Sequence, residues 1–231
     1  MNKIILIFLS AVCFIQAQEY NVTIWGISVG TAELQHDTDA EISFKLKSNK
    51  YIDYVLPIDL EYFSKFDKTN YTVIENKKTT TQGSEKQKYN SELKSNYTLV
   101  YNDKDSIIIE PNTYSLLSLL IKLMNSPIDS IDAKWFHLEN EGTLYETRLL
   151  WNDTTRVAID NEIILCDHYR LDLKLLNNEK NIFEKTDYFN ELFFDINSIR
   201  QIWVEKWQKQ QRIIKIAIKN NLINLNLTIN N

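Results

Sequence analysis

Apolar and polar residues alternate along much of the chain, and this period of two is the feature that most restricts its fold. In EISFKLKSN, Phe44 and Leu46 alternate with Lys45 and Lys47, and residues 168–176, HYRLDLKLL, repeat the pattern. Antiparallel strands with one solvated face show this alternation, whereas parallel strands buried by helices have continuous apolar runs. The pattern predicts an all-β, mainly antiparallel fold, built as a strongly curved sheet or a barrel-like structure.

The C-terminal residues 212–230, RIIKIAIKNNLINLNLTIN, predict a hairpin. Asparagine tolerates the positive φ of a tight turn, so a two-residue turn is expected at Asn220 and Asn221. This register places apolar residues together on one face and mostly polar residues on the other. The expected facing pairs are Ile218 with Ile223, Ile216 with Leu225, and Ile214 with Leu227.

One segment breaks the period of two. Residues 111–127, PNTYSLLSLLIKLMNSP, predict a short apolar helix over 112–125, with Asn112 or Thr113 as its N-cap and the final Ser-Pro pair as its stop. Apolar side chains cover about two thirds of the helix circumference. In a β protein such a helix is expected to pack across a sheet or to plug a barrel.

The first 17 residues have the composition of a secretory signal peptide. Lys3 gives a positive start, residues 4–15 form an apolar run, and the small Ala17 precedes a polar stretch. We therefore expect a signal peptide over 1–17 and export of the remaining chain to the periplasm or cell envelope, or its secretion. No linker composition divides residues 18–231, which are expected to form a single β-rich domain.

Two other interpretations of the N-terminus are disfavoured. A membrane-spanning helix needs about 20 apolar residues, more than the N-terminal run supplies, so no transmembrane span is expected in the mature chain. A lipoprotein signal needs a small residue before its cysteine, and Val12 precedes Cys13.

Charge and cysteine content restrict the mature chain further. Removal of the signal peptide changes the formal net charge from −5 to −6, because it takes away one lysine and no acidic residue. Nucleic-acid binders normally carry a basic patch, so no nucleic-acid partner is expected. Cys166 remains as the one cysteine, so an intrachain disulfide is precluded and an ample core must hold the fold.

A cysteine, a carboxylate and an imidazole lie together in the sequence CDHYR. In a strand, Cys166 and His168 share one face while Asp167 takes the other, and two ligands do not make a closed metal site. The favoured interpretation is a cysteine packed among apolar groups beside a surface aspartate. No metal site is expected here.

Other charged segments are interpreted as solvated. The carboxylate pairs Asp103 with Asp105 and Glu139 with Glu141 lie near turn signals, and the lysine-rich residues 76–92 predict an exposed loop or a long, solvated hairpin. No glycine-rich phosphate loop, nucleophile elbow or zinc-protease helix occurs. We therefore expect no catalytic residues, no cofactor and no enzymatic activity.

The opening strands of the expected mature chain resemble a known family. YNVTIWGISVGTAEL is similar to the start of bacterial exported proteins with domain of unknown function 3108 (DUF 3108), NTYSLLSLLIKLM to their leucine-rich helix, and IWVEKWQKQQRIIKIAI to a late strand pair. Trp207 stands where that family usually has aspartate. The resemblance implies a barrel-like exported domain of unassigned activity, and it supplies no catalytic residues. The matching residues are Tyr20, Val22, Trp25, Gly26, Val29, Gly30 and Ala32.

Gly26 and Gly30 form a Gly-x-x-x-Gly pattern after a strand, but no helix follows that could bind a phosphate at its N-terminus. A glycine within a strand marks a bulge or a bend. We expect Gly26, Gly30 or both to interrupt or bend the first strand pair.

Two functions are consistent with these features. The first is a non-enzymatic binding protein that holds a lipid or another apolar small molecule between the curved sheet and the helix at 112–125. Its expected lining residues are Leu116, Leu120, Leu123 and Trp203. The alternative is a structural or docking module whose exposed strand edges bind another envelope protein.

Overall fold

A computed structural model describes residues 16–37, 40–176, 182–183, 185–206 and 211–230. Residues 1–15, which carry most of the predicted signal peptide, and Trp207 lie outside this part of the chain. The strands are β1 Gln16–Ile24, β2 Ile27–His36, β3 Glu41–Ser48, β4 Ile58–Phe66, β5 Val73–Gln82, β6 Glu85–Leu93, β7 Thr98–Tyr101, β8 Asp105–Ile108, β9 Trp135–Asn140, β10 Thr143–Ile159, β11 Glu162–Leu175, β12 Ile199–Glu205, β13 Ile213–Lys219 and β14 Asn224–Ile229.

All 14 strands of the described residues belong to one antiparallel sheet. Strands that are adjacent in sequence pair with each other, with the exception of β8 and β9, which are the two edges of the sheet. The first and last strands, β1 and β14, also pair with each other. The sheet curves into a barrel-like structure but does not close. The predicted antiparallel β fold is therefore confirmed.

A short extended segment covers one of the open edges. Thr113 accepts a backbone hydrogen bond from Val73 at the start of β5, and Tyr114 exchanges backbone hydrogen bonds with His137 and Glu139 of β9. The segment thus satisfies part of the β9 edge and links it to β5, across the gap where the two ends of the curved sheet approach each other.

Four short helices accompany the sheet in the described residues. They are α1 Lys50–Asp53, α2 Leu116–Asn125, α3 Ile128–Ile131 and α4 Tyr188–Phe194. None of the helices in the described part of the chain has the length and apolar composition that crossing a bilayer requires.

The apolar helix α2 begins later than predicted. Ser115 is its N-cap, forming a reciprocal capping box with Ser118, and neither Asn112 nor Thr113 caps it. The residues just before Ser115 are extended because their backbone groups bind β5 and β9 instead. The helix ends at Asn125, in agreement with the predicted stop, and its buried face packs against β3, β4 and β9.

The C-terminal hairpin forms, but its predicted register is wrong by two residues. Ile216 pairs with Leu227 and Ile218 with Leu225, so residues 220–223 make the loop. The side chain of Asn220 accepts the backbone N–H groups of Leu222 and Ile223, at 2.9 and 2.8 Å, which stabilises this longer turn. A shift of two residues keeps every side chain on its predicted face.

The two glycines of the first hairpin have different structural roles. Gly26, with φ of 82°, follows Trp25, with φ of 50°, in the tight turn between β1 and β2. Gly30 lies where the register of the two strands shifts, opposite Val22. A Cβ atom on Gly30 would lie 2.1 Å from the carbonyl oxygen of Lys47, so only glycine fits there.

The helix α4, which the sequence analysis did not predict, lies within the curve of the sheet. The ring of Phe189 stacks on Phe44 of β3 with centroids 5.3 Å apart. Phe194 contacts Tyr145 of β10, with ring centroids 5.1 Å apart. The helix therefore spans the interior between opposite parts of the sheet.

Candidate functional site

A cavity of about 70 Å³ lies inside the curved sheet between α2 and α4. Small-molecule pockets usually measure about 300–1,000 Å³, so in this conformation the cavity admits only a small group. Most of its wall is apolar. The apolar lining includes Leu34, Phe44, Leu116, Leu120, Phe189 and Phe193.

The structure brings two of the four predicted lining residues to this cavity. Leu116 and Leu120 line it, whereas Leu123 is buried in the core outside its wall. Trp203 stacks on the ring of His168, with centroids 4.4 Å apart. The ammonium of Lys215 lies 4.9 Å from the centre of the Trp203 ring. The indole therefore lies away from the cavity, because its strand neighbours Ile202 and Val204 take the core-facing positions.

One end of the cavity is polar and contains a buried ion-pair cluster. Lys78 is only 1% exposed, and its ammonium forms ion pairs with Glu141 and, at 2.5 Å, with Asp187. It also donates a hydrogen bond to the hydroxyl of Thr186 at 3.0 Å. A buried charge requires such compensation, so the three charged groups depend on one another.

This cluster fixes the N-terminus of α4. The carboxylate of Asp187 caps the helix by accepting the backbone N–H of Asn190 at 2.9 Å. The same carboxylate accepts the hydroxyl of Tyr62 from β4 at 2.7 Å. The first turn of α4 is therefore attached to the sheet through polar contacts.

A buried arginine fixes the other end of α4. The guanidinium of Arg200 on β12 donates hydrogen bonds to the carbonyl oxygens of Phe193, Asp195 and Ser198. Burial lowers the pKa of Arg200 to about 10, which still leaves it charged at neutral pH. Positive charge at a helix C-terminus is stabilising, so Arg200 serves as the C-terminal partner of α4.

Glu139 is the third buried carboxyl group at the polar end. It accepts hydrogen bonds from the hydroxyl of Tyr101, from the backbone N–H of Gly142 at 2.8 Å, and from the amide of Asn76 at 3.2 Å. Burial, only partly offset by these donors, raises the pKa of Glu139 to about 7. Burial and the nearby carboxylate also raise the pKa of Tyr101 well above its usual value, so its hydroxyl remains a donor.

The prediction that Glu139 and Glu141 are solvated is wrong: they are 2% and 7% exposed. The turn between β9 and β10 uses Glu141, with φ of 52°, and Gly142, with φ of 87°, as a tight turn. The side chain of Ile182 covers this turn, because a Cβ atom on Gly142 would lie 2.5 Å from it. The turn is therefore packed against another part of the chain and is not solvated.

The lysine-rich residues 76–92 form the hairpin of β5 and β6, which was one of the two predicted alternatives. The prediction that this segment is solvated fails at Lys78, which points into the sheet interior. Its strand partners explain the burial, because Lys78 pairs with Tyr62 of β4, and Tyr62 pairs with Phe44 of β3 on the core face.

The CDHYR segment is packed rather than reactive. The thiol of Cys166 is fully buried, and burial raises its pKa to about 12. Asp167 is not at the surface as predicted: it is buried, accepts a hydrogen bond from Thr154 at 2.7 Å and forms an ion pair with Lys206 at 3.2 Å. Within the described ranges, no three His, Cys, Asp or Glu side chains come together in a group that could hold a metal ion.

Comparison with known proteins places the fold but not the family. No family model matches the chain, and no curated protein matches it. A solved structure, the β-barrel-like protein of domain of unknown function DUF1849 from Brucella abortus, superposes with a TM-score of 0.57. The match covers 93% of this chain and 94% of that one at 6% sequence identity, so the similarity is one of fold alone.

The resemblance to DUF 3108 is therefore wrong. The matching domain of unknown function is a different one, and no family model supports the earlier assignment. The residues that carried the resemblance include Trp25, Gly26 and Gly30, which form a tight turn and a bulge. Strongly curved antiparallel sheets use such features whatever their ancestry, so the motif reports local geometry.

Proposed function

We propose that this chain is an exported, non-enzymatic binding protein that holds a small molecule with an apolar part in the cavity between α2 and α4. The observation that carries the proposal is the two-sided character of this cavity. Leucine and phenylalanine side chains form its main wall, and buried Glu139 and Glu141 form one end. Binding sites for small molecules are mostly apolar with a few placed polar groups, which matches this arrangement.

The position of α4 determines the volume of the cavity. The helix has seven residues, and polar contacts from Asp187 and Arg200 fix its two ends. Its apolar residues Phe189 and Phe193 fill the space beside the cavity. An outward movement of α4 would have to release some of these end contacts, but it would enlarge the cavity without breaking the strand pairing of the sheet.

The ionisable groups at the polar end of the cavity are engaged in contacts with the chain itself. Lys78 is engaged by two carboxylates, and Glu139 accepts three hydrogen bonds. We therefore propose that these groups recognise a ligand rather than take part in catalysis. Export to the periplasm or cell envelope is proposed from the signal-like residues 1–17, and a lipid is one class of ligand with the required apolar part.

Titration with 1-hexanol, observed through the methyl signals of Leu116 and Leu120, tests the proposal. We expect saturable shifts of these signals. Leu116→Trp, which fills the cavity from its half-buried wall, should abolish them. Ile128→Trp adds the same type of side chain at a half-buried position outside the cavity and should leave binding intact. Titration without saturable shifts in the unmodified protein would contradict the proposal.

A second candidate function is docking of another envelope protein. The predicted strand edges support it little, since β8 has four residues and Tyr114 covers part of β9. One end of the sheet supports it better, because its neighbouring turns expose Trp25, Tyr54 and Leu222; Tyr54 is 93% exposed. Apolar patches of this kind often mark interaction sites.

In-cell photocrosslinking tests this second function. A photoreactive residue in place of Tyr54 should give one stoichiometric adduct, whereas the same residue in place of the exposed Lys86 should give none. Equal, diffuse labelling from both positions would exclude specific docking at this end.

A further inference from the structure

The charges at the polar end of the cavity do not balance. Among the described residues, Lys78 is the buried cation of this cluster, and its ammonium pairs with Glu141 and Asp187. Glu139 interacts with Glu141 at the same end of the cavity and adds a further carboxyl group. Lys77 also lines the cavity, but its ammonium is half exposed and forms an ion pair with Glu75 at 2.7 Å. Buried charges are normally paired, so the cluster has carboxylate in excess of its own cations.

Glu139 retains capacity for a further contact. An ionised carboxylate offers about four acceptor positions, and Glu139 accepts three hydrogen bonds from the part of the chain that the structure describes. The fourth acceptor position therefore lies on a carboxylate, that of Glu139, which lines the cavity. The aromatic rings of Tyr62, Phe63 and Tyr89 line the same region, and ring faces attract cations. The ammonium of Lys78 lies 5.6 and 5.9 Å from the ring centres of Tyr62 and Tyr89, and that of Lys77 lies 5.1 Å from the ring centre of Phe63, so the rings already contact cations of the chain itself.

We infer that the ligand carries a cationic head group, such as a primary or quaternary ammonium, which binds beside Glu139 while its apolar part lies against Leu116, Leu120 and Phe189. This inference rests on the proposed function and specifies its ligand class. The head group supplies the positive charge that the cluster lacks, and the apolar part occupies the wall between α2 and α4.

Proton release should accompany binding of the cation. Burial gives Glu139 a pKa of about 7, and an ammonium beside it favours the ionised carboxylate. The ionisable groups that interact with Glu139 from the packed elements are Tyr89 on β6, Tyr101 on β7, Tyr145 on β10 and Glu141 in the β9–β10 turn. Lys78 on β5 and Asp187 before α4 interact with Glu141. We expect affinity for an ammonium to increase about tenfold between pH 6 and pH 8, as the ionised fraction of Glu139 increases.

Calorimetric titration of the unmodified protein with three six-carbon compounds tests the inference at pH 8. Hexylammonium, 1-hexanol and hexanoate share the alkyl chain and differ in head-group charge. A charge-assisted hydrogen bond changes affinity by about ten- to a hundredfold, so hexylammonium should bind at least about tenfold more tightly than 1-hexanol. Hexanoate should bind most weakly, because it adds negative charge.

A variant pair locates the effect. Glu139→Gln should remove the preference for hexylammonium over 1-hexanol and the increase of that preference between pH 6 and pH 8. Glu92→Gln, at an exposed position on β6, should behave like the unmodified protein. The titrations of the unmodified protein decide the question even if Glu139→Gln does not fold.

Each result separates this inference from the proposed function. Equal binding of hexylammonium and 1-hexanol, or tightest binding of hexanoate, would overturn the cationic head group but leave an apolar binding site. Absence of binding by all three compounds would overturn both.

Discussion

The buried carboxyl group of Glu139 should make the stability of the fold depend on pH. In the folded chain this group is 2% exposed, and burial raises its pKa from 4.5 to about 7. The folded state therefore binds a proton more tightly than the unfolded state does. By linkage, the stabilisation is present at pH values below the unfolded pKa and is lost as the pH rises through the folded pKa.

The magnitude follows from the two pKa values. One pKa unit corresponds to about 1.4 kcal/mol, so Glu139 should lower the free energy of unfolding by about 2.5 kcal/mol between pH 5 and pH 8. The pKa of Glu141 is also raised, which acts in the same direction. The pKa of His36 is lowered by burial, which acts in the opposite direction because stability is then lost as the pH falls. Comparison with Glu139→Gln cancels the contribution of His36, and it cancels that of Glu141 except for the part that arises from its interaction with Glu139.

Urea unfolding at pH 5, 6, 7 and 8 provides the assay. The difference in unfolding free energy between the unmodified protein and Glu139→Gln should change by about 2.5 kcal/mol across this range, and most of the change should precede pH 7.5. Parallel pH profiles for the two proteins would refute the reasoning, because they would mean that Glu139 titrates alike in the folded and unfolded states.

Three further substitutions test the cluster, the first strand pair and α4. Lys78→Met leaves two buried carboxylates without their cation and should cost about 3–5 kcal/mol in urea unfolding, whereas the half-exposed Lys77→Met should cost less than about 1 kcal/mol; equal costs would contradict the burial of the ion pair. Gly30→Ala should lower thermal stability more than Gly26→Ala, because its Cβ would lie 2.1 Å from a backbone carbonyl oxygen while Gly26 has open space around it; the reverse order would contradict the role of the bulge. Arg200→Met removes the donors at the C-terminus of α4 and should accelerate amide hydrogen exchange in that helix at least about tenfold relative to α2, and uniform exchange would argue against this attachment.

The sequence correctly predicted the strands and the end of α2, because residues close together in the chain determine these elements. Alternation identified the strands because one face of the sheet is solvated, and the Ser-Pro pair marked the end of α2. Alternation could not distinguish hairpin registers that differ by two residues, since both keep the same faces. The side-chain contacts of Asn220 decided that register. The start of α2 escaped prediction because Thr113 and Tyr114 bind distant strands.

The polar end of the candidate site could not be predicted because its burial is non-local. Lys78 lies in a run of lysines and threonines whose sequence indicates no core-facing side. Only its pairing with Tyr62 places it in the interior, near carboxylates more than 60 residues away in the chain. The sequence NELFF at residues 190–194, preceded by the capping residue Asp187, is a local signal for α4.

Native mass spectrometry of the protein isolated from its own cells is the decisive test of ligand binding in the cavity between α2 and α4. We expect a bound small molecule with an apolar part, retained by the unmodified protein and by Ile128→Trp but absent from Leu116→Trp. The apoprotein mass in all three samples, or an adduct that persists in Leu116→Trp, would contradict binding in the cavity between α2 and α4.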